Sequence, residues 1–171
     1  AAYVYAQNQV SVMSEQLTAL DEMAPFVDIV AEAEELYVPS GPPISPLTRS
    51  YFTCWAFFDA CVGVETIGTI TMEAGAAFGL DAERLRVIGL MQQSRMGLYV
   101  VEAADIDEVV LLEPETGISC RAIVPSGHVG TRGEVWYARV LPPVWGTNHV
   151  VFTTPYVVLQ PPVQDWRAYF G

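Results

Sequence analysis

The first third of the chain carries apolar residues at intervals of three and four positions, which is the spacing of an amphipathic helix. Residues 1–38 also contain seven acidic side chains and no basic one. Ser11 and Ser14 are candidate N-caps, and the proline-rich segment 39–43 cannot continue a helix. The pattern therefore predicts one acidic helix that ends by Val38. Its apolar positions are Met13, Leu17, Leu20, Met23, Val27 and Val30.

A second helix is predicted for residues 46–62. Ser45 is a favourable N-cap, and Pro46 suits the first helical position because its missing N–H has no intrahelical partner there. The middle of this segment, residues 51–58, is aromatic on nearly every face. Such a helix must be enclosed by neighbouring elements, so we expect it at the centre of a helical core.

Two shorter helices are predicted to complete the first half of the chain. Residues 69–78 have helical potential and are followed by a glycine. Asp81 is a favourable N-cap for a fourth helix, which continues to about Arg95. Gly97 is positioned to end this helix, since glycine readily adopts the left-handed conformation found after helix C-termini.

From Leu98 onward the periodicity changes to runs of β-branched residues separated by turn residues, a pattern typical of short strands. Residues 113–117 predict a tight hairpin connection that ends in glycine. Because closure removes exposed sheet edges, six short strands at this spacing favour a small barrel. The predicted strands are residues 98–103, 108–113, 118–124, 134–141, 148–153 and 155–159.

Together these elements predict an α+β fold. About four helices in residues 1–97 are expected to pack on a small antiparallel β-barrel-like sheet in residues 98–171, as one compact unit. The aromatic C-terminal segment 161–170 is expected to pack back on the body of the protein.

Charge narrows the range of functions. The chain has 20 acidic and 8 basic residues, a net charge of −12, and every basic residue is arginine. The lack of lysine excludes Schiff-base chemistry and a phosphate-binding loop with its lysine, since both need the ε-amine. Scattered arginines on an acidic chain also disfavour nucleic-acid binding, which depends on clustered positive charge.

Neither a membrane-spanning segment nor a signal peptide is visible in the sequence, and we expect a cytoplasmic protein. The chain begins at Ala1 without an initiator methionine, which is consistent with a trimmed N-terminus. The three cysteines, Cys54, Cys61 and Cys120, include no closely spaced pair. We expect them to be free, buried thiols rather than a disulfide framework.

A series of short motifs resembles a known group of proteins. The motifs are Ser50-Tyr51-Phe52-x-x-Trp55-x-Phe57-Phe58-Asp59, Arg95-x-Gly97-Leu98-Tyr99-Val100-Val101, Leu111-Leu112-Glu113-x-x-Thr116-Gly117 and Gly133-Glu134-Val135-x-x-Ala138-Arg139-Val140. This arrangement is similar to a group of uncharacterised bacterial proteins, some of which are associated with the small SEC-C zinc motif. The resemblance spans residues 48–142 and implies no activity. The zinc motif is absent here, because the chain has no closely spaced Cys and His cluster.

Five charged residues are candidate ligand-binding residues. Asp59 and Arg95 each close an apolar helix, and a charge at the rim of an aromatic cluster is usually paired or functional. We expect an ion pair or a capping role that fixes the helices against the barrel, with ligand binding as the alternative. Arg121 and Arg139, with Arg132, would grip an anionic ligand if the strand register brings them together.

Catalytic and metal-binding candidates are weaker. Cys54 and Cys61 are two helical turns apart, and either would need His128 or His149 beside it to act as a nucleophile or ligand. Asp105 and Asp107, with Glu102 and Glu108 beside them, form an acidic turn. The turn lacks the ligand series of an EF-hand loop and is interpreted as a solvated hairpin tip.

No nucleophile, base and orienting group can be assigned from spacing, so we expect neither cofactor nor metal. The sequence favours a non-catalytic binding or protein-interaction module. The alternative is a small-molecule enzyme, hydrolase-like, that uses a Cys/His pair. Expected partners are another protein or a second copy of the chain, bound through the acidic N-terminal helix, rather than nucleic acid or a membrane.

Overall fold

A computed structural model describes residues 8, 11–13, 15–37 and 46–158. The chain separates into two units, residues 1–92 and residues 93–171, which are described separately. The first unit is helical, and the second contains a β-barrel. None of the helices within the described ranges has both the length and the apolar character needed to cross a membrane. The predicted linker 39–43 and C-terminal segment 161–170 lie outside the described residues.

The acidic N-terminal segment is not one continuous helix, which corrects the sequence prediction. Residues 15–17 are helical, the chain turns at residues 18–20, and a 3₁₀-helix follows at Asp21–Met23. Helix α1 then spans Ala24–Tyr37. Pro25 explains the restart, because proline disrupts a helix interior but fits the first turn, where its missing N–H has no intrahelical partner.

Helix α2 spans Pro46–Phe58 and begins at the predicted proline. It ends four residues earlier than expected, because a small antiparallel hairpin follows, with strands β1, Cys61–Val62, and β2, Glu65–Thr66. Gly63 in the connection has a φ of 65°, a conformation that glycine adopts without strain. Cys61 therefore lies on a strand, and the prediction that it shares a helix face with Cys54 is wrong.

Helix α3, Ile67–Ala77, starts with reciprocal capping hydrogen bonds. The backbone N–H of Thr69 donates to Thr66 Oγ1 at 3.1 Å, and the backbone N–H of Thr66 donates to Thr69 Oγ1 at 2.9 Å. These bonds satisfy donors that a helix start would otherwise leave unpaired. Thr66 is buried, so its cap also anchors the helix start in the interior.

Helix α4 spans Ala82–Gln93 and has the predicted N-cap. Asp81 Oδ1 accepts hydrogen bonds from the backbone N–H groups of Glu83, at 3.0 Å, and Arg84, at 3.3 Å. Gly97 does not end this helix, contrary to the prediction, because the first barrel strand already begins at Arg95. The change from helix to strand thus lies a few residues earlier than the periodicity indicated.

Gln92 links three parts of the helical unit through hydrogen bonds. Its Nε2 donates to the carbonyl oxygen of Phe58 at 2.9 Å, and its Oε1 accepts from Thr66 Oγ1 at 2.9 Å. The end of α2, the start of α3 and α4 are therefore joined by one amide. The buried apolar residues of this unit are Leu17, Met23, Phe26, Cys54, Phe57, Phe58, Ala60, Ile67, Val87, Ile88 and Met91.

Within its described residues, 93–158, the second unit contains six strands, and each overlaps one of the six predicted strands. The observed and predicted boundaries differ by at most three residues. The α+β class with a C-terminal barrel is therefore confirmed. The strands are β3, Arg95–Ala104; β4, Glu108–Glu113; β5, Ile118–Ile123; β6, Val135–Leu141; β7, His149–Val151; and β8, Tyr156–Val158.

Five of these strands close into a barrel in the order β3-β4-β5-β7-β6, and β6 then pairs with β3. Strand β8 is added to β6. The pair β5–β7 is parallel, with Ala122 opposite His149, whereas the other pairs are antiparallel. The prediction of an entirely antiparallel sheet is corrected by this one pair.

Alternate residues of the strands point into the barrel and form its core. Trp136 and Leu111 are both 0% exposed, and the ring of Tyr99 lies over Gly97 at the start of β3. The core is packed with side chains and leaves the outward residues of each strand for contacts elsewhere. Its members are Tyr99, Val101, Val109, Leu111, Ala122, Trp136, Ala138, Val140 and Val151.

Candidate binding face of the barrel

The outward residues of β4 and β5 form a continuous surface that we call the β4–β5 face. Because Leu111 and Ala122 point into the core, strand alternation places their sequence neighbours outward. Val110 lies opposite Arg121, and Leu112 lies opposite Ser119. The face comprises Glu108, Val110, Leu112, Ser119, Arg121 and Ile123, together with Glu102 from β3.

Glu102 reaches this face because of a β-bulge. The pairing of β3 with β4 shifts register between Val101 and Ala103, which leaves Glu102 as an extra residue. A bulge re-aims the side chain that it carries. Ser119 Oγ donates to Glu102 Oε2 at 2.8 Å. Since β4 lies between β3 and β5, the Glu102 side chain extends over β4 to reach its partner.

Arg121 and Glu108 form a second polar pair on the face. Arg121 Nη1 lies 3.7 Å from Glu108 Oε2, and the two side chains are 70% and 41% exposed. The other oxygen, Glu108 Oε1, accepts from Asn148 Nδ2 at 2.5 Å. Exposed ion pairs contribute only about 0–1 kcal/mol. A ligand can therefore displace the Arg121 contact at small cost.

Two loops lie next to the face. The β3–β4 loop, residues 105–107, precedes Glu108 and carries Ile106, which is 81% exposed. The β6–β7 loop, residues 142–148, carries the exposed Trp145 and is attached to β4 through Asn148. Exposed isoleucine and tryptophan side chains supply apolar contact area for a partner.

The two predicted arginines on the barrel lie in different environments. Arg121 is exposed on β5, whereas Arg139 on β6 is 0% exposed. Arg139 Nε donates to Ser94 Oγ at 2.7 Å, and Nη2 donates to the carbonyl oxygen of Ser94 at 3.0 Å. Strand β7 separates β5 from β6 in the barrel, so the register does not bring these guanidinium groups onto one exposed surface.

The other predicted charged residues are exposed. Asp59 follows the end of α2 in the helical unit, and its backbone N–H donates to the carbonyl oxygen of Trp55 at 2.8 Å. Arg95 is the first residue of β3 in the barrel unit, and Arg132 lies in the loop before β6. Their roles in pairing or ligand binding stay predictions.

The three free thiols have different environments. Cys54 is buried, Cys61 is exposed and donates to the carbonyl oxygen of Asp59 at 3.3 Å, and Cys120 is half-buried in the barrel. The expectation of three buried thiols is thus wrong for Cys61. Burial, and to a smaller extent the carboxylate of Glu113, raises the pKa of Cys120. A raised pKa keeps this thiol protonated at neutral pH, which is unfavourable for a nucleophile.

A polar cluster lies where the loop after β5 meets β6. Trp136 Nε1 donates to Glu134 Oε2 at 2.9 Å, and His128 Nε2 lies 3.7 Å from the same oxygen. The rings of His128 and Trp136 meet edge to face, with centroids 5.2 Å apart. Burial opposes the charge of Glu134, but hydrogen bonds from Trp136 and Thr131, with His128 nearby, hold its pKa below the ordinary value.

Sequence reasoning identified Arg121 but missed the residues around it. Glu102 was interpreted as part of an acidic hairpin tip, and Ser119 and Asn148 were not singled out. Strand alternation was sufficient to place Ser119 beside Arg121 on one side of β5. The bulge at Glu102 had no sequence signal that we can identify.

Comparisons with protein-family models, curated proteins and solved structures found no match for this chain. Within the part of the chain that the structure describes, no group of three or more His, Cys, Asp or Glu side chains is arranged to hold a metal ion.

Proposed function

We propose that this chain is a non-catalytic binding module that contacts a partner protein through the β4–β5 face. The observation that supports this is the combination of aliphatic and weakly paired charged groups on one outward sheet surface. Val110 and Leu112 are half-buried and offer apolar area, while Glu102 and Arg121 offer an acceptor and a donor. Interfaces typically combine an apolar centre with polar groups of this kind around it.

The strand order supports the choice of this face. The first barrel strand, β3, pairs with the second and the fourth, and the third, β5, is parallel to the fifth, β7. This is the strand order of the OB-fold, in which the second and third strands and the two loops beside them bind ligands. The equivalent parts here are β4, β5 and the loops that carry Ile106 and Trp145. Strand order alone does not carry an activity, so it supports only the location.

Charge favours a protein partner over a nucleic acid. The chain has a net charge of −12, and the β4–β5 face itself carries two glutamates and one arginine. A phosphate backbone needs clustered positive charge, which this face does not offer. A partner with basic and aliphatic side chains complements the β4–β5 face.

We extend the proposal to a cytoplasmic location. We also extend it to kinship with the bacterial group that the sequence resembles, whose barrel motifs include Leu111–Gly117.

A random peptide library displayed on phage and selected on the immobilised full chain tests this function. Peptides enriched on the wild type are expected to bind Glu102→Arg and Ile123→Asp at least about tenfold more weakly, because the first change repels a basic partner and the second removes apolar contact area. Val129→Asp is the matched control, since Val129 is an exposed valine in the loop after β5. If no peptide is enriched, or if the enriched peptides bind all three variants equally, the proposed function is wrong.

A further inference from the structure

Strand β5 is paired along its whole length on one side but only partly on the other. Strand β4 pairs with all six residues of β5, from Ile118 to Ile123. Strand β7 pairs only with Ala122 and Ile123. Among the described residues, no strand pairs with Ile118–Arg121 on the side away from β4. These four residues form a segment that we call the open edge.

The open edge presents backbone N–H and C=O groups to a further strand. In a strand with a neighbour on one side only, every second residue directs its N–H and C=O groups away from that neighbour. Proteins usually block such edges with proline, charged side chains, especially lysine, or a bulge. The open edge has no proline, lysine or bulge, its one charged residue is Arg121, and Ile118 at its start is 65% exposed. At about 3.3 Å per residue, it offers roughly 13 Å for pairing with an extended chain.

His149 marks the place where an added strand would end. It is the first residue of β7 and lies opposite Ala122, directly next to the open edge. A chain added along the open edge would therefore end where β7 begins.

The charges around the open edge select the chemistry of the partner. Glu113 is the last residue of β4, and Glu115 lies in the hairpin turn that leads into the open edge. Glu102 is hydrogen-bonded to Ser119 on the edge itself. Arg121 is the basic residue of the edge. Acidic side chains therefore predominate, and a second acidic segment would be repelled.

We propose that the open edge binds an extended basic segment of a partner protein by β-strand addition. Main-chain hydrogen bonds give the affinity in this mode, and alternate side chains give the specificity. Basic side chains on the outward side of the segment lie near Glu102, and β-branched side chains on the other side lie beside Ile118 and Cys120. This inference rests on the proposed function and names its binding mode and partner chemistry.

A capped seven-residue peptide of alternating arginine and valine is the probe, with the full chain in solution. Methylation of alternate peptide nitrogens keeps the side chains but removes donors, and is expected to weaken binding at least about tenfold by fluorescence anisotropy. Hydrogen exchange of those amides in Ile118–Arg121 that point away from β4 is expected to slow at least about tenfold at saturation. A peptide with glutamate in place of arginine is expected not to bind.

Two lysine variants locate the contact. Ile118→Lys blocks the edge and is expected to weaken binding about tenfold, because an edge lysine disfavours strand addition. Val129→Lys adds the same charge at an exposed valine in the loop after β5, outside the β4–β5 face, and is expected to change the affinity by less than about twofold.

Three results overturn the inference: no binding of the arginine–valine peptide, equal binding of its methylated form, or no protection of the amides at the open edge. The proposed function is judged separately. If library-selected peptides bind through Glu102 and Ile123 without protecting the open edge, the face is a binding site and strand addition is wrong.

Discussion

Glu134 keeps a depressed pKa although it is half-buried. Its carboxylate accepts the indole N–H of Trp136 and hydrogen bonds from Thr131, and His128 lies 3.7 Å away. Hydrogen bonds of this type favour the charged form, and here they outweigh the opposing effect of burial. The charge of one residue thus helps to hold the loop after β5 against the barrel.

The depressed pKa predicts an acid-sensitive contribution to stability. A group whose folded pKa is lowered stabilises the fold above its unfolded pKa, and this contribution is lost as the pH falls through the folded value. Glu134→Gln is therefore expected to lower the free energy of unfolding at pH 7. The difference from wild type should shrink below about pH 4.5, the ordinary value for glutamate, and then vanish. Urea unfolding between pH 7 and pH 3 measures it, and a difference that stays constant or grows on acidification contradicts the prediction.

Arg121 and Arg139 show what single residues in a sequence do not reveal. Each is an arginine within a β-branched or apolar strand, and strand alternation places each on the outward side of the barrel. Arg139 is buried because Ser94 and Thr153 lie beside it; Thr153 Oγ1 accepts the Arg139 backbone N–H at 2.9 Å. These partners are distant in sequence, so local pattern identifies the strand but not the exposure of its charged residue.

At the level of elements, the segment 124–134 between β5 and β6 packs against Trp136. Gly130 is buried and approaches the indole so closely that a Cβ there would lie 2.5 Å from Trp136 Cζ2. The indole is in turn held by its hydrogen bond to Glu134. The position therefore requires glycine for close approach rather than for a turn.

Gly130→Ala is expected to destabilise the fold by about 1–3 kcal/mol, the usual cost of overpacking a filled interior. Gly89→Ala is the matched control, because Gly89 lies within α4 and the nearest group to an added Cβ is the flexible Met72 Sδ, at 3.4 Å. Alanine there is expected to be neutral or to stabilise by up to about 1 kcal/mol. Urea denaturation followed by circular dichroism compares the free energies of unfolding of the two variants. Equal changes would show that the close approach of Gly130 to Trp136 does not affect stability.

The elements themselves were mostly predictable from local signals. Pro46 and Asp81 start their helices as expected, and Gly117 closes the predicted hairpin with a φ of 72°. Pro25 carried enough information to predict the break before α1, but the continuous apolar periodicity masked it. The parallel pairing of β5 with β7 could not be predicted, because it depends on which distant strand fills the space beside Ala122.

For the whole molecule, charge is distributed unevenly. Twelve of the 20 acidic residues but only three of the eight basic ones lie in residues 1–92. The apolar stripe predicted for the N-terminal helix is partly covered, since Leu17 and Met23 are buried, whereas Leu20 and Val27 remain exposed. Any association of two copies through this surface brings like charges together.

The prediction of weak self-association through this surface therefore has a defined salt dependence. Because added salt screens repulsion between exposed charges, dimers should be favoured at about 0.5 M rather than 0.05 M sodium chloride. Val27→Asp removes exposed apolar area and adds charge, so it should weaken association under both conditions. Sedimentation equilibrium measures both effects, and a monomer at high concentration in both salts contradicts the prediction.

The closed barrel also sets the order in which the chain can fold. The seam that joins Arg95 to Val140 needs β6, and the seam that joins Ala122 to His149 needs β7, so the barrel cannot close on the ribosome until synthesis has passed Val151. Distant pairings of this kind slow folding, to milliseconds or seconds in small β proteins. Until then the nascent sheet β3–β5 presents Leu111 and its neighbours to solvent, which makes this stage the one most open to aggregation and to chaperone capture.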